Sequence, residues 1–532
     1  MTIFINNLRI SASAAADEDA RLLQEVVQTL KVDAAAVAAI EIKRRSLDAR
    51  QKRRIVYEYQ LAVKLHEDLE QTLPPSEHYQ LGADETGADP LEGVVTWQGH
   101  HRPVVVGSGP CGIFAALILA EAGARPIIIE RGEAVDERIK TVTKLRTQGE
   151  FQSESNYCFG EGGAGTFSDG KLTCSRRHPF VSYLFKKWVE FGAPKQILYD
   201  ALPHIGSDNL VTVARNMRAT ITGMGGTFLF NRTLETIEQN TGRSHYSLSL
   251  SDGSTLDTEH VILAIGHAAR DTFRMLHRLG LRLKPKAFAI GSRIEHPQSF
   301  IDEIQYGKNQ HLPAASYKLT ARAGDRGVWS FCMCPGGILL PTNSQPEHLS
   351  VNGMSFYSRS SGFANSALVV NVRQEDFYKG SPLDGIEFQE LLEQKAFRYG
   401  GGGYNMPAQR LNDFLKGRVG KGEIQSSYLP GLRHARIDQL LPRFVAESLQ
   451  EAVIQFNRKM PGFISDQALL VGTETKTSSP VTICREDDTF HAVGYPGIYP
   501  AGEGAGYAGG IVSAALDGVH TALSILKAHA SS

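Results

Sequence analysis

Apolar positions near the start of the chain alternate, then recur at helical spacing, then alternate again. Thr2 to Ile10 has the pattern of a strand, and Asp17 to Leu30 places Leu22, Leu23, Val26, Val27 and Leu30 on one helical face. A second strand is predicted over Ala36 to Ile42, and Ile55, Tyr57, Tyr59, Leu61, Val63 and Leu65 alternate as a third. From Leu73 to Gly99, Pro74-Pro75, several glycines and little periodicity predict a linker. Beyond it the pattern changes to short unbroken apolar runs at Val104 to Val106, Ile127 to Ile129 and Val261 to Ile265, which read as buried strands. Helix-like Ile113 to Ala122 separates the first two. Near the C-terminus a strand ending at Pro500 precedes a helix with Val512, Ala515, Val519, Leu523 and Leu526 on one face. Strands interleaved with helices predict an α/β chain.

The first buried strand runs directly into Gly107-Ser108-Gly109-Pro110-Cys111-Gly112, and the second ends in Glu130, 23 residues after Gly107. Strand, glycine turn, helix and acid together form a dinucleotide-binding pattern. Gly107 permits the tight turn, Gly109 lets backbone approach a pyrophosphate, and Gly112 allows close helix–strand packing. The helix N-terminus offers free N–H groups to the phosphates. Glu130 is expected to accept ribose hydroxyls, and its charge argues against a 2′-phosphate. Two later segments favour FAD over NAD: the strand His260 to Gly266, which ends in Ala264-Ile265-Gly266, and Gly497 to Gly504, which contains Gly502-Glu503. Gly509-Gly510 then open a helix whose N-terminus suits negative charge on a reduced flavin.

Charge and cysteine content narrow the classes. Lys plus Arg number 56 against 57 Asp plus Glu in 532 residues, without the basic excess of a dedicated polyanion binder. A local exception is Lys43 to Arg54, with seven basic residues and one acid, read as a solvated connector that has no interleaved aromatic for base stacking. Six cysteines form no Cys-x-x-Cys pair, and no Cys/His group has zinc spacing, so no metal is expected. The start lacks a signal-peptide pattern, and no stretch of about 18 apolar residues is evident, so a cytoplasmic chain is expected.

The chain resembles the uncharacterised bacterial FAD-dependent dehydrogenase family, a branch of the glutathione-reductase-like two-dinucleotide-fold flavoproteins. The resemblance spans nearly the whole chain. It rests on the first glycine motif, Cys158 to Leu172 (CFGEGGAGTFSDGKL), Ser330 to Gly337 (SFCMCPGG), Asn352 to Ser355, Thr477 to Pro480 and Tyr499 to Ile511. The family usually has Arg where this chain has Lys476 and Ser where it has Ala268. The implied fold is α/β: a discontinuous Rossmann-like FAD-binding domain (100–280 and 466–532), an inserted α+β substrate or cap domain (281–465), a small N-terminal ferredoxin-like module (1–72) and a linker (73–99).

The resemblance implies non-covalent, extended FAD beneath the inserted domain. The expected cofactor contacts begin with the first motif, Gly107 to Gly112, and continue through Glu130, Arg131, Gly132 and Arg138. They include Gly162, Gly163, Ala164, Gly165 and Thr166 of the second glycine stretch, then Leu234, Ala264, Ile265 and Gly266. Gly502, Glu503, Gly509, Gly510 and Ile511 complete the set. Candidate chemistry falls on Lys171 (beside Asp169), His267, Cys332, Cys334 and Lys476, against the plainer readings of a loop salt bridge, a core histidine and buried thiols. Arg373, Arg398 and Lys476 could hold an anionic substrate, with solvated surface as the default for each. Gly400 to Gly403 has no phosphate-loop context and is expected to be a hinge, a close-packing turn or a lid. No second strand–GxGxxG–helix unit exists, so NAD(P)H enters only as a transient donor. The leading function is an FAD-dependent oxidoreductase moving hydride between flavin N5 and a small organic molecule. Its rivals are an RNA-modifying flavoprotein using the basic arm and a non-redox FAD-containing binding protein.

Overall fold

The computed structural model describes residues 2–12, 17–66, 73, 76–83, 87–94, 96–173, 178–239, 245–308 and 312–530. Five short strands form a parallel sheet in the order Ile498–Pro500, Val261–Leu263, Val104–Val106, Ile127–Ile129, Thr227–Leu229. Nearly every residue in the four strands other than Thr227–Leu229 is buried, which is why they show no polar alternation. Helix Pro110–Glu121 is buried from Cys111 to Ala120 and packs against the last helix, Ile511–Ala530. At their crossing a Cβ on Gly518 would lie 2.1 Å from the Cys111 carbonyl oxygen, so only glycine permits the approach. Contrary to the sequence expectation, Ile511–His529 is long and apolar enough to cross a membrane by length and composition. Most of it is buried in this core, and Asp517 and His520 break the apolar run that a linear scan seeks.

The inserted unit is built on a seven-stranded sheet in the order Thr320–Ala323, Arg326–Cys334, Phe363–Val372, Phe288–Pro297, Leu469–Glu474, Met406–Arg410, Leu432–His434. All pairs are antiparallel except the last. Leu469–Glu474 therefore lies in the middle of the cap sheet, which corrects the expected boundary at 465. Its six buried residues read equally well as a parallel strand or as a central antiparallel one. The chain crosses between the units on an antiparallel ribbon, Leu283–Pro285 against Val481–Ile483.

Buried in the cap, His296 bonds through Nε2 to the Phe463 carbonyl at 3.0 Å, and burial pushes its pKa down to about 4. A histidine kept neutral in the fold and free to protonate when unfolded makes stability fall as pH drops from about 6.5 toward 4. We expect this single site to contribute about 3 kcal/mol of that loss. His296→Gln keeps a donor for Phe463 and does not titrate, so its denaturation midpoint should show a shallower acid slope. An unchanged slope would rule this site out as the source.

At the N-terminus, antiparallel strands lie in the order Val37–Asp48, Val56–Leu65, Thr2–Ser11, Tyr79–Gly82, with helix Glu18–Leu30 packed on the sheet. Two expectations are corrected. The second strand continues to Asp48, so half of the basic stretch is sheet rather than connector, and Tyr79–Gly82 takes part of the expected linker into this sheet. Arg45 of that stretch is a docking residue. It holds Asp200 through Nε and Nη2 and Glu18 through Nη1, while its backbone bonds Tyr199 and Ala201. Lys43 and Arg50 pair with Glu41 and Asp48.

Candidate functional site

One elongated cleft crosses the carboxyl ends of the parallel strands, the position where open α/β sheets bind ligands. Arg232, Thr233 and Leu234 lie beyond the edge strand, followed across the sheet by Glu130, the Gly107–Cys111 turn, Ala264–His267 and, at the far edge, Ala501 and Glu503. Gly160, Gly163–Gly165 and Ser168–Lys171 add a second wall, and Gly509–Ile511 a third. Cap residues Phe331, Cys332, Cys334, Asn352, Lys476 and Thr477 close one end.

The glycines explain how backbone forms the floor. Gly107 has φ +102°, and its Cβ would fall 2.3 Å from the Ala264 carbonyl oxygen; a Cβ on Gly112 would fall 1.9 Å from the Gly107 carbonyl oxygen. A Cβ on Gly163 would lie 2.9 Å from Gly109 Cα, so the two glycine loops lie against each other. Around Gly509 and Gly510 a Cβ would meet nothing within 4 Å, so the N-terminus of the last helix opens onto free space in the cleft. A floor of bare backbone with two helix N-termini fits a pyrophosphate-bearing cofactor.

Glu130 lies on the cleft wall but is already engaged. Oε2 accepts from Ser108 N at 3.0 Å and Ser108 Oγ at 2.7 Å; Oε1 accepts from Gly132 N and Gly160 N, both at 3.0 Å. Its oxygens thus tie the two glycine loops together on the cleft wall. Arg138, fully buried, donates to the carbonyls of Asn156, Gly160, Glu161 and Gly163. Burial lowers its pKa to about 10, so it stays charged. Arg138, Gly112, Gly132, Gly162, Thr166 and Gly502, expected as contacts, do not line the cleft; they support its walls from behind. The remaining expected cofactor contacts all line it.

Residues 102–144 match the family described as FAD binding domain, 287–477 match FAD-dependent protein, C-terminal domain-like, and 2–64 match a domain of unknown function. An uncharacterized protein of Clostridium beijerinckii is 41% identical over 545 residues, covering 99% of both chains. The chain belongs to this family of FAD-dependent proteins. Among solved structures it is similar to halogenase PltM (11% identity, 81% and 70% of the two chains, TM-score 0.36). It is also similar to the tetracycline destructase Tet(51) (12%, 80% and 82%, TM-score 0.33) and a geranylgeranyl bacteriochlorophyll reductase-like protein of Thermoplasma acidophilum (12%, 81% and 79%, TM-score 0.35).

At the cap end of this FAD-dependent protein, the five candidate chemical residues come together on one cleft. His267 Nδ1 is 3.1 Å from Glu503 Oε1. Cys332, in the left-handed region at φ +45°, and Cys334 sit at a bulge fixed by buried Arg293, which donates to the Cys332 carbonyl at 2.7 Å. Cys332 opens onto the cleft and Cys334 is buried behind it. Desolvation raises both thiols, Cys334 to about 11, which disfavours the thiolate that disulfide exchange needs. Lys476 is buried and donates to Ser350 Oγ and Glu393 Oε1, both at 2.9 Å; Glu393 also accepts two hydrogen bonds from buried Arg270.

The other sequence candidates lie elsewhere. Arg373 pairs with Asp325 and Arg398 is exposed, and neither lines the cleft. Gly400–Gly403 also lies off the cleft; Gly400 packs against the Asn405 carbonyl, while a Cβ on Gly402 or Gly403 would meet nothing within 4 Å. Sequence reasoning missed Asn352 and Phe331 on strands, Ser168 on a loop and Thr272 on a helix as lining residues, since a single residue type carries no signal of what it faces. It also missed His101, His245 and Glu259, whose ligand atoms lie within 4.8 Å of one another away from the cleft. They come from three separate segments, so no spacing rule detects them.

Proposed function

We propose that this FAD-dependent oxidoreductase moves hydride between its flavin and a small organic molecule held under the cap. The observation that carries this reading is the placement of Lys171, His267, Lys476 and the Cys332–Cys334 bulge at one end of the cleft. The glycine floor fits FAD, held by the Gly107–Cys111 and Gly163–Gly165 loops, with Gly509 and Gly510 at the ring end of the strand order. Bound FAD supplies two-electron redox chemistry that amino-acid side chains lack. His267, held by Glu503, is placed to hold or release a proton through Nε2. Phe331 adds an apolar side chain to that end of the cleft.

The basic-arm reading as an RNA-modifying protein loses support, because Arg45 is occupied with docking and Lys43 and Arg50 are paired nearby. A purely structural flavin would leave the charged cap end without a purpose. The test is an anaerobic titration of the purified yellow protein, following the long-wavelength flavin band. We expect dithionite to bleach it fully, and NADH or NADPH to bleach it only slowly, because a nicotinamide would have to dock transiently. A flavin that resists dithionite would overturn the redox reading; prompt bleaching by a nicotinamide would recast the protein as a nicotinamide-driven reductase.

A further inference from the structure

Among the described residues, cations outnumber carboxylates around the cap end of the cleft. Asp169 is buried and takes Arg359 at 2.7 and 3.3 Å. Glu503 Oε1 lies 3.1 Å from His267 Nδ1. Glu393 serves two cations at once, Arg270 and Lys476. Lys171 shares Asp169 with Arg359 and is the more distant of the two. Its Nζ is 3.9 Å from Asp169 Oδ2, beyond hydrogen-bond reach, and among the described residues it has no recorded hydrogen bond. Its side chain is 27% exposed, on the cleft wall.

The backbone that presents Lys171 is fixed. Lys171 forms a bridge with His204, Leu172 N donates to the Pro203 carbonyl, and Gly170 at φ +67° packs against Gly206. A lysine on rigid backbone at the closed end of a ligand cleft, sharing a carboxylate with Arg359 and with no hydrogen-bond partner among the described residues, has three donors to offer a second anion. Phe331 and Cys332 on the same wall give an organic body something apolar to contact.

We propose that the molecule bound under the cap is an organic carboxylate, and that Lys171 is the residue that selects it. This rests on the redox reading above and names its substrate class. A single ammonium beside an apolar wall suits one negative charge on an organic body, whereas phosphate dianions recruit several donors.

The test uses the flavin-containing protein and a panel of acetate, benzoate and phenylacetate set against acetamide, benzamide and phenylacetamide. Binding is read from the perturbation of the flavin visible band. At least one carboxylate is expected to bind about tenfold more tightly than its amide, a difference that Lys171→Met abolishes and Lys171→Arg largely keeps. Equal binding of acids and amides to the parent overturns the proposal, as does a panel without effect or a preference that survives in K171M. Inorganic phosphate competing as well as the carboxylates would overturn the carboxylate assignment. Should K171M lose its flavin, Lys171→Gln and the parent's acid-to-amide ratio decide. A carboxylate preference in protein whose flavin resists dithionite would sink the redox reading and leave the subsite standing.

Discussion

Glu130→Ala is expected to purify without flavin and to unfold well before the parent. The carboxylate ties together three backbone segments: the Ser108 end of the first glycine turn, Gly132 after the second strand, and Gly160 at the start of the second glycine loop. Removing it leaves three buried N–H groups and the Ser108 hydroxyl without an acceptor. An unmet buried donor costs about 1–3 kcal/mol, and groups sharing one cavity do not add, so the total loss should be on the order of 3–5 kcal/mol. The loops released are those that form the cleft floor, so flavin retention should suffer more than stability. Glu130→Gln separates charge from shape: its amide oxygen can serve two donors, but its NH2 faces two more. It should therefore bind FAD weakly rather than not at all. Flavin-to-protein absorbance after gel filtration and a urea midpoint read both effects. If Glu130→Ala keeps its flavin and its midpoint, the four hydrogen bonds do not shape the cofactor site.

The legibility of this chain follows the range of the interactions involved. Gly107, Gly109 and Gly112 can be read because their constraint is local: a turn, a helix start and a crossing lie within six residues. The parallel strands announce themselves as unbroken apolar runs, since both faces are covered. Leu469–Glu474 is misplaced by sequence for the same reason, because a fully buried strand does not reveal which sheet buries it. The roles of Glu130 and Arg138 are half visible. Position in the motif identifies them, but the partners that engage them come from Gly160 to Gly163, a loop that approaches only after folding. Arg45 looks like one charge in a basic run until Asp200, 155 residues away, turns it into a docking contact. Lys171 and Lys476 both lie in or beside the family motifs, yet which of them is occupied depends on Glu393, which no local pattern connects to either.

That cluster gives the second large effect. Arg270, Lys476 and Glu393 are all buried, with Thr475 Oγ1 also donating to Glu393 at 2.5 Å. Burial alone would raise the Glu393 pKa, but Arg270 and Lys476 together overcome it and hold the carboxyl below the usual range. A carboxylate with a depressed folded pKa contributes stability that is fully present above its unfolded pKa of about 4.3 and is lost progressively as pH falls from there through the lower folded value. The cluster should therefore stay intact across the acid range in which the His296 contribution is already being lost. Glu393→Ala leaves two buried cations facing each other, and we expect a loss of about 3–5 kcal/mol or more, with much insoluble protein. Lys476→Met should be far milder, about 1–2 kcal/mol, because Arg270 and Glu393 remain a doubly bonded pair. The order of the two variants is the discriminating result, since a purely steric role for these side chains predicts similar losses. Thermal midpoints in which Lys476→Met falls as far as Glu393→Ala would show that charge balance does not hold this end of the cleft together.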